Sequence, residues 1–249
     1  MPTEDEFELR PGFRDDLHAL PEVLLAATAG PGHPAESRSE DEVRAWCQSL
    51  LDRPGRALWV AVRADLLLGF VVLEREWVNL LMVHPDRPAR GVGAALIDLV
   101  KALRAQGFGL RVYQRNEQAR AFYRKHGLIE LERTDGSTYR DAEPDLQMAW
   151  PGEDPLAYLR GRIDSVDDEL AVLLARRTAL TAAVQDHKAA SGSHGGLRGR
   201  DPGREAEIVA RMARHVPDLG PERIARVMHS VIEESLAAWE ATSRGSGPA

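Results

Sequence analysis

The chain has 249 residues, 43% hydrophobic and 29% charged, with a formal net charge of −7 at neutral pH. That length suits two modest domains, each burying its own core, and the composition is that of a folded globular protein, not a disordered one. The acidic balance speaks against nonspecific nucleic-acid binding, and the single cysteine, Cys47, excludes an internal disulfide and any cysteine-rich metal site; no metal is expected, and a reducing compartment fits.

In chain order, the opening MPTEDEFELR is acidic where a signal peptide is basic and then apolar. No run reaches the roughly 18 apolar residues of a membrane span, so a cytoplasmic protein with no membrane partner is expected. From Phe7 to Trp150 short apolar strands alternate with amphipathic helices, which predicts an α/β domain over residues 1–150. Within it, Trp77 to Gly107 reads as a strand, a loop containing Arg90-Gly91-Val92-Gly93, and an amphipathic helix. That order offers backbone N–H groups and a helix N-terminus to a phosphate; a tight strand-to-helix turn is the plainer reading of the loop alone.

Residues 151–155, PGEDP, cannot continue a helix or strand and are read as a linker. Beyond them the strand pattern ends and a helical domain, 156–242, begins. Leu156, Leu159, Ile163, Val166, Leu170, Leu173, Leu180 and Val184 recur every three or four residues apart from one gap, which predicts one helix to about Ala190 with a coiled-coil-like seam. At 1.5 Å per residue it spans about 50 Å, too long for a small domain to wrap alone, so a homodimer through this domain is expected. A Gly-rich loop covers Ser191 to Arg200. Asp201 before Pro202 then marks an N-cap and the first turn of a second helix ending near His215. Pro217 to Pro221 is read as a break. A third helix carries Ile224, Val227, Met228, Val231, Ile232, Ser235 and Trp239 on one face, and residues 243–249, SRGSGPA, are expected to be disordered.

Arg177 breaks the long seam between Leu173 and Leu180. A cation at an apolar position costs several kcal/mol unless paired, so it should meet a protein carboxylate or an anionic ligand. Lys188 lies eleven residues on, on much the same face, and Arg204 sits in the first turn of the second helix, where the helix dipole favours anions. Between Arg176 and Arg204 the six cations Arg176, Arg177, Lys188, Arg198, Arg200 and Arg204 face two carboxylates, Asp186 and Asp201. A small dianion suits that excess.

Asn116, Ala119, Phe122, Tyr123 and Gly127 follow the Gly91-Val92-Gly93 loop in the order N-x-x-A-x-x-F-Y-x-x-x-G. Together these stretches resemble the GNAT acetyltransferases over essentially Phe7 to Trp150. The resemblance implies a mixed central sheet with flanking helices and acetyl-CoA as co-substrate. It implies further that Leu81, Met82 and Val83 offer backbone groups to the pantetheine and thioester, and that residues 88–93, among them Arg90, Gly91, Val92 and Gly93, cradle the pyrophosphate. Asn116 then contacts the cofactor and Tyr123 protonates the departing thiolate. An amine attacking a thioester needs the oxyanion polarised and the sulfur protonated. Two positions depart from the family pattern: Pro88 removes a possible phosphate donor, and Arg111 stands where some relatives carry a glutamate base. Glu76, His84 and His126 are alternatives with plainer readings as surface residues, so the base stays open. The amine acceptor's pocket is expected in loops such as Ala29 to Glu42.

LRGRIDSVDDELAVLLARRTALTAAVQDHKAAS and DPGREAEI resemble the AroQ-type chorismate mutases over Leu156 to Glu240. The resemblance implies an all-α three-helix domain intertwined with a second copy, and two cofactor-free sites. Arg160 reaches across the dimer, Arg177 and Arg204 bind the carboxylates or nearby polar groups, Lys188 faces the ether oxygen, and Glu205 holds the ring hydroxyl. Asp201 and Ser235 complete the shell. The rearrangement moves no proton, so fixed cations that hold a compact conformer suffice. Trp239 stands where the family has Gln or Glu, and an indole cannot accept a hydrogen bond. The expectation is therefore a bifunctional acetyltransferase and chorismate mutase. The alternatives are isochorismate or 4-amino-4-deoxychorismate as substrate, a non-catalytic dimerisation or sensor module, or a degenerate transferase beside an active mutase.

Overall fold

In the computed structural model, residues 6–34, 36, 38–87, 90–136, 143–191 and 200–245 are described, without the side chains of 244 and 245. Pro88, Arg198, most of the Gly-rich loop and residues 246–249 lie outside them. Two compact units result, Met1–Arg160 and Gly161–Ala249.

The first unit runs β1 Glu8–Pro11, a 3-10 turn Arg14–His18, α1 Leu20–Thr28, α2 Glu40–Gln48, β2 Arg56–Arg63, β3 Leu66–Glu74, β4 Trp77–Val83, α3 Val92–Leu103, β5 Phe108–Tyr113, α4 Glu117–Lys125, β6 Ile129–Thr134 and β7 Asp145–Trp150. The strands form one sheet in the order β1-β2-β3-β4-β5-β7-β6. Strand β4 runs parallel to β5, and the other neighbouring pairs are antiparallel. Alternation along the strands sends apolar side chains to both faces, and each face is covered. On one, Val78, Leu110 and Met148 meet α3 through Leu96, Ile97 and Val100. On the other, Val60, Phe70 and Val72 meet α1 and α2 through Leu20, Val23, Val43 and Cys47. Cys47 is fully buried, and burial pushes its thiol up to about 11, which makes it an inert core residue.

One irregularity in β4 shapes the site. Val72 pairs with Leu80 and Leu73 with Val78, so Asn79 is an extra residue bulged out of the ladder. Parallel pairing with β5 stops at the same point, after Trp77↔Gly109 and Val78↔Leu110. From Asn79 to Val83 the strand keeps β3 as its ladder partner and diverges from β5.

Helix α5 is a continuous 36-residue helix, Pro155–Ala190, which belongs to the second unit from Gly161 on; α6 Pro202–Ala213 and α7 Gly220–Gly245 follow it there. Asp154 accepts from the Ala157 N–H and caps the start of α5, so Pro155, assigned to the linker from sequence, is the helix's first residue. Two further boundaries differ from expectation. Pro221, read as a breaker, sits in the first turn of α7, where its missing N–H costs nothing. Residues 243–245, read as tail, continue α7, which meets no breaker before Gly245. The seam of α5 is uncovered in the single chain: Ile163, Val166, Leu170, Leu173, Leu180 and Val184 are 50–61% exposed. Polar contacts join α5 to α7: Arg177, which holds a seam position, and Thr178 next to it both contact Ser235, and Asp186 meets Trp239.

Candidate active sites

Beyond Val78, the end of β4 that leaves β5 runs to Val83, close to the start of α3. Gly91 caps α3 with φ 85°, a conformation that favours glycine, and aims the first turn's N–H groups out of the helix. A Cβ on Gly93 would lie 3.4 Å from the Phe122 ring and 3.7 Å from the Val83 side chain, so the end of β4, the start of α3 and α4 converge. Arg90 is exposed before the cap. Tyr123 follows Phe122, with ring centroids 5.3 Å apart, and is buried in the core beneath α4. Burial pushes its phenol up to about 12, which keeps the proton on oxygen at physiological pH. Leu81 and Val83 pack towards the α3 face, Leu80 and Met82 towards α1 and α2.

Asn116 has a second role that the motif alone does not show. Its Oδ1 accepts from the Ala119 N–H and caps α4. The backbone of Gly32 presses on its amide so closely that a Cβ there would come within 2.7 Å. Gly32 belongs to the loop after α1, beside a cleft of about 640 Å³ lined by Leu25, Thr28, Pro31, His33 and Glu36. The His33 ring stands edge-on to Tyr113, 5.8 Å away at the end of β5. Burial, and then the charge of Arg115, hold its imidazole below the usual histidine range, so it is neutral at pH 7. No periodicity or motif marks His33; only the fold brings its loop against Tyr113 and Asn116.

The other base alternatives are placed elsewhere. Glu76 lies in the turn between β3 and β4, not on a strand, and its carbonyl accepts from the Gly109 N–H. The Asp86 N–H donates to His84 Nδ1 within a loop. His126 ends α4 against Phe122. Arg111 pairs with Asp145 at 3.2 Å.

In the helical unit, Arg177 Nη1 donates to Ser235 Oγ at 3.0 Å and to the Val231 carbonyl at 3.4 Å. Both acceptors are neutral, so this half-buried side chain has no carboxylate among these contacts. Asp201 caps α6 by accepting from the Arg204 N–H. Arg204 pairs with Glu207 at 3.0 Å on the exposed face of α6, and Glu205 is gripped by Arg200. Trp239 Nε1 donates to Asp186 at 2.8 Å. Its single donor is thus spent on the protein. Lys188 lies half-buried near the end of α5, while Arg160 is exposed on the early part of the same helix, between four and five turns from Arg177 at about 3.6 residues per turn. Arg177 and Ser235 are therefore together within one chain, and Arg160 is not with them.

Comparison with known proteins gives the same division. The sequence model of the acetyltransferase (GNAT) domain matches residues 54–128. Peptidyl-lysine N-acetyltransferase YjaB of Salmonella typhimurium is 32% identical over 99 residues, 39% of this chain and 68% of the relative. The chain belongs to the GNAT acetyltransferases. The Escherichia coli K12 protein of the same name is 32% identical over 100 residues, 40% of this chain and 67% of the relative. The solution structure of apo-form YjaB from Escherichia coli matches this GNAT chain with a TM-score of 0.50 at 25% identity, covering 59% of this chain and 99% of that one. The model described as chorismate mutase type II matches residues 159–239. A GNAT domain and a type II chorismate mutase domain, both of enzyme families, are thus joined in one polypeptide. No described helix is long and apolar enough to cross a membrane.

Proposed function

We propose that the chain is a bifunctional enzyme, transferring acetyl from acetyl-CoA to an amine and converting chorismate to prephenate. The transferase half rests on the β4–β5 gap, which leaves backbone groups of Leu81 to Val83 unused by β5 and ends at the N-terminus of α3. Those groups suit a pantetheine arm, and the N–H groups at Gly91 to Gly93, with Arg90, suit its phosphates. Asn116, capping α4, contacts the cofactor, Tyr123 supplies the proton for the departing thiolate, and His33, neutral in the cleft beside Gly32, takes the proton of the attacking amine. A lysine side chain is the acceptor to try first, since the YjaB relatives are named for peptidyl-lysine.

The mutase half rests on Arg177, a half-buried cation whose hydrogen bonds go to neutral groups. A carboxylate of the substrate is its natural counter-ion. Lys188, Arg204, Glu205, Asp201 and Ser235 surround the same ligand, and Arg160 arrives from a second copy docked on the exposed seam of α5. Full burial of such a side chain is worth about 1.5–3 kcal/mol, and with about half of each still exposed, covering the six in a dimer gains about half of that apiece. The second reading, a chorismate relative as substrate or a binding module without turnover, is favoured by the Trp239 indole and its commitment to Asp186. Mixing the protein with chorismate, with prephenate identified in the product, tests the mutase. Mass spectrometry of a lysine peptide after incubation with acetyl-CoA tests the transferase. Unchanged chorismate or an unmodified peptide sinks the corresponding half.

A further inference from the structure

Glu205, at the start of α6, is one end of a chain of polar contacts that reaches α7. Arg200 Nε donates to Glu205 Oε1 at 2.8 Å and Nη2 donates to Oε2 at 2.5 Å, a two-point grip. Both side chains are about three-quarters buried. The same Nη2 lies 3.0 Å from His229 Nδ1 on α7, and His229 Nε2 lies 3.4 Å from Glu233 Oε2 one turn on. A guanidinium carries no lone pair and can only donate. His229 must therefore accept at Nδ1 and carry its proton on Nε2, facing Glu233. The grip keeps the Glu205 carboxyl below the ordinary carboxylate range, with the Arg200 hydrogen bond the largest cause.

Each carboxylate oxygen has two lone pairs, and the guanidinium takes one from each. The remaining pair on each oxygen is held in a fixed direction, because the fork permits one orientation of the carboxylate plane. His229 in turn fixes the guanidinium. We infer that Arg200, backed by His229, is a positioning residue that sets the direction in which Glu205 accepts a hydroxyl from the ring substrate. The inference rests on the mutase reading for the role of Glu205, while the contacts themselves come from the geometry. Arg200 also adds a positive charge near a dianionic ligand without touching it.

The test uses the full-length protein and chorismate, with rates followed from pH 4 to 8. Arg200→Met should lower kcat/KM by about 10- to 100-fold, the size of one charge-assisted hydrogen bond. Arg200→Lys should recover part of that loss. The acid limb of the rate profile should move upward in Arg200→Met, since Glu205 then protonates at a more ordinary pH. If Arg200 acts through Glu205, the Arg200→Met/Glu205→Gln double variant is no slower than Glu205→Gln alone. Nitrogen NMR of the native imidazole should show the Nε2–H tautomer at His229. A native chain that leaves chorismate unchanged overturns the mutase reading, and this inference with it. An active native chain in which the two losses multiply, the acid limb stays put, or His229 is the Nδ1–H tautomer overturns the inference alone.

Discussion

The Arg177 guanidinium rests on the Ser235 hydroxyl at 3.0 Å, a full charge held by a neutral partner. Ser235 Oγ also donates to the Val231 carbonyl at 2.6 Å, so it stays bonded when the arginine is removed. Arg177→Leu should change the melting free energy by no more than about 1 kcal/mol, because no buried carboxylate loses its partner. Its chorismate turnover should fall at least about 100-fold. Paired thermal unfolding and rate measurements decide; early unfolding points to a structural cation.

Trp239→Gln should raise chorismate turnover by about tenfold or more, since the indole's one N–H is spent on Asp186 while an amide N–H is free to donate to an ether oxygen, which can only accept. The substitution also releases Asp186 from the 2.8 Å contact it now receives. Rates on chorismate before and after substitution, each with the product identified, measure this. An unchanged or lower rate means that Trp239 is suited to the substrate the site uses.

Leu173→Asp and Leu180→Asp should each yield a monomer. Both leucines are about three-fifths exposed in the single chain, where a carboxylate costs little, but at a helix–helix seam an unpaired charge costs several kcal/mol. Light scattering at micromolar protein reads the outcome, and a dimer that survives both substitutions places the interface elsewhere.

His33 should titrate below 6.5, because burial, ahead of the charge of Arg115, disfavours its protonated form. The unfolded chain then takes up the proton more readily than the folded one. The contribution of His33 to stability is therefore intact above about pH 6.5 and is lost as the pH falls further. NMR titration gives the midpoint, and Arg115→Met should raise it.

Tyr123→Phe should cut acetyl transfer by about 10²- to 10⁴-fold and leave acetyl-CoA affinity nearly unchanged, since it removes a proton donor and almost no surface. Calorimetry and turnover together separate this from a packing role, in which affinity and rate fall alike.

What the sequence revealed followed from periodicity and motif. The end of the strand pattern at Trp150, the single long α5 and the Gly91 loop were legible because each depends on neighbours in sequence. The Arg177 anomaly was legible as well, but its partner was not. Ser235 lies 58 positions away, and only the packing of α7 on α5 decides that the cation meets a hydroxyl and not a carboxylate. The same holds for Trp239 on Asp186 and for Arg200 on Glu205 and His229. In the first unit, the ends of β4, α3 and α4 were assigned to one site by motif. His33 escaped because a loop histidine between glycines and prolines carries no periodic signal, and its neighbours Tyr113 and Asn116 arrive from β5 and α4.

The Asn79 bulge acts as a one-residue spacer. Without it, the strand would keep step with its parallel neighbour beyond Leu110, and the opening between them would zip into continuous sheet. Deleting this one exposed asparagine should therefore stiffen the domain while closing the slot in which a thioester would lie, a gain in order at the expense of chemistry.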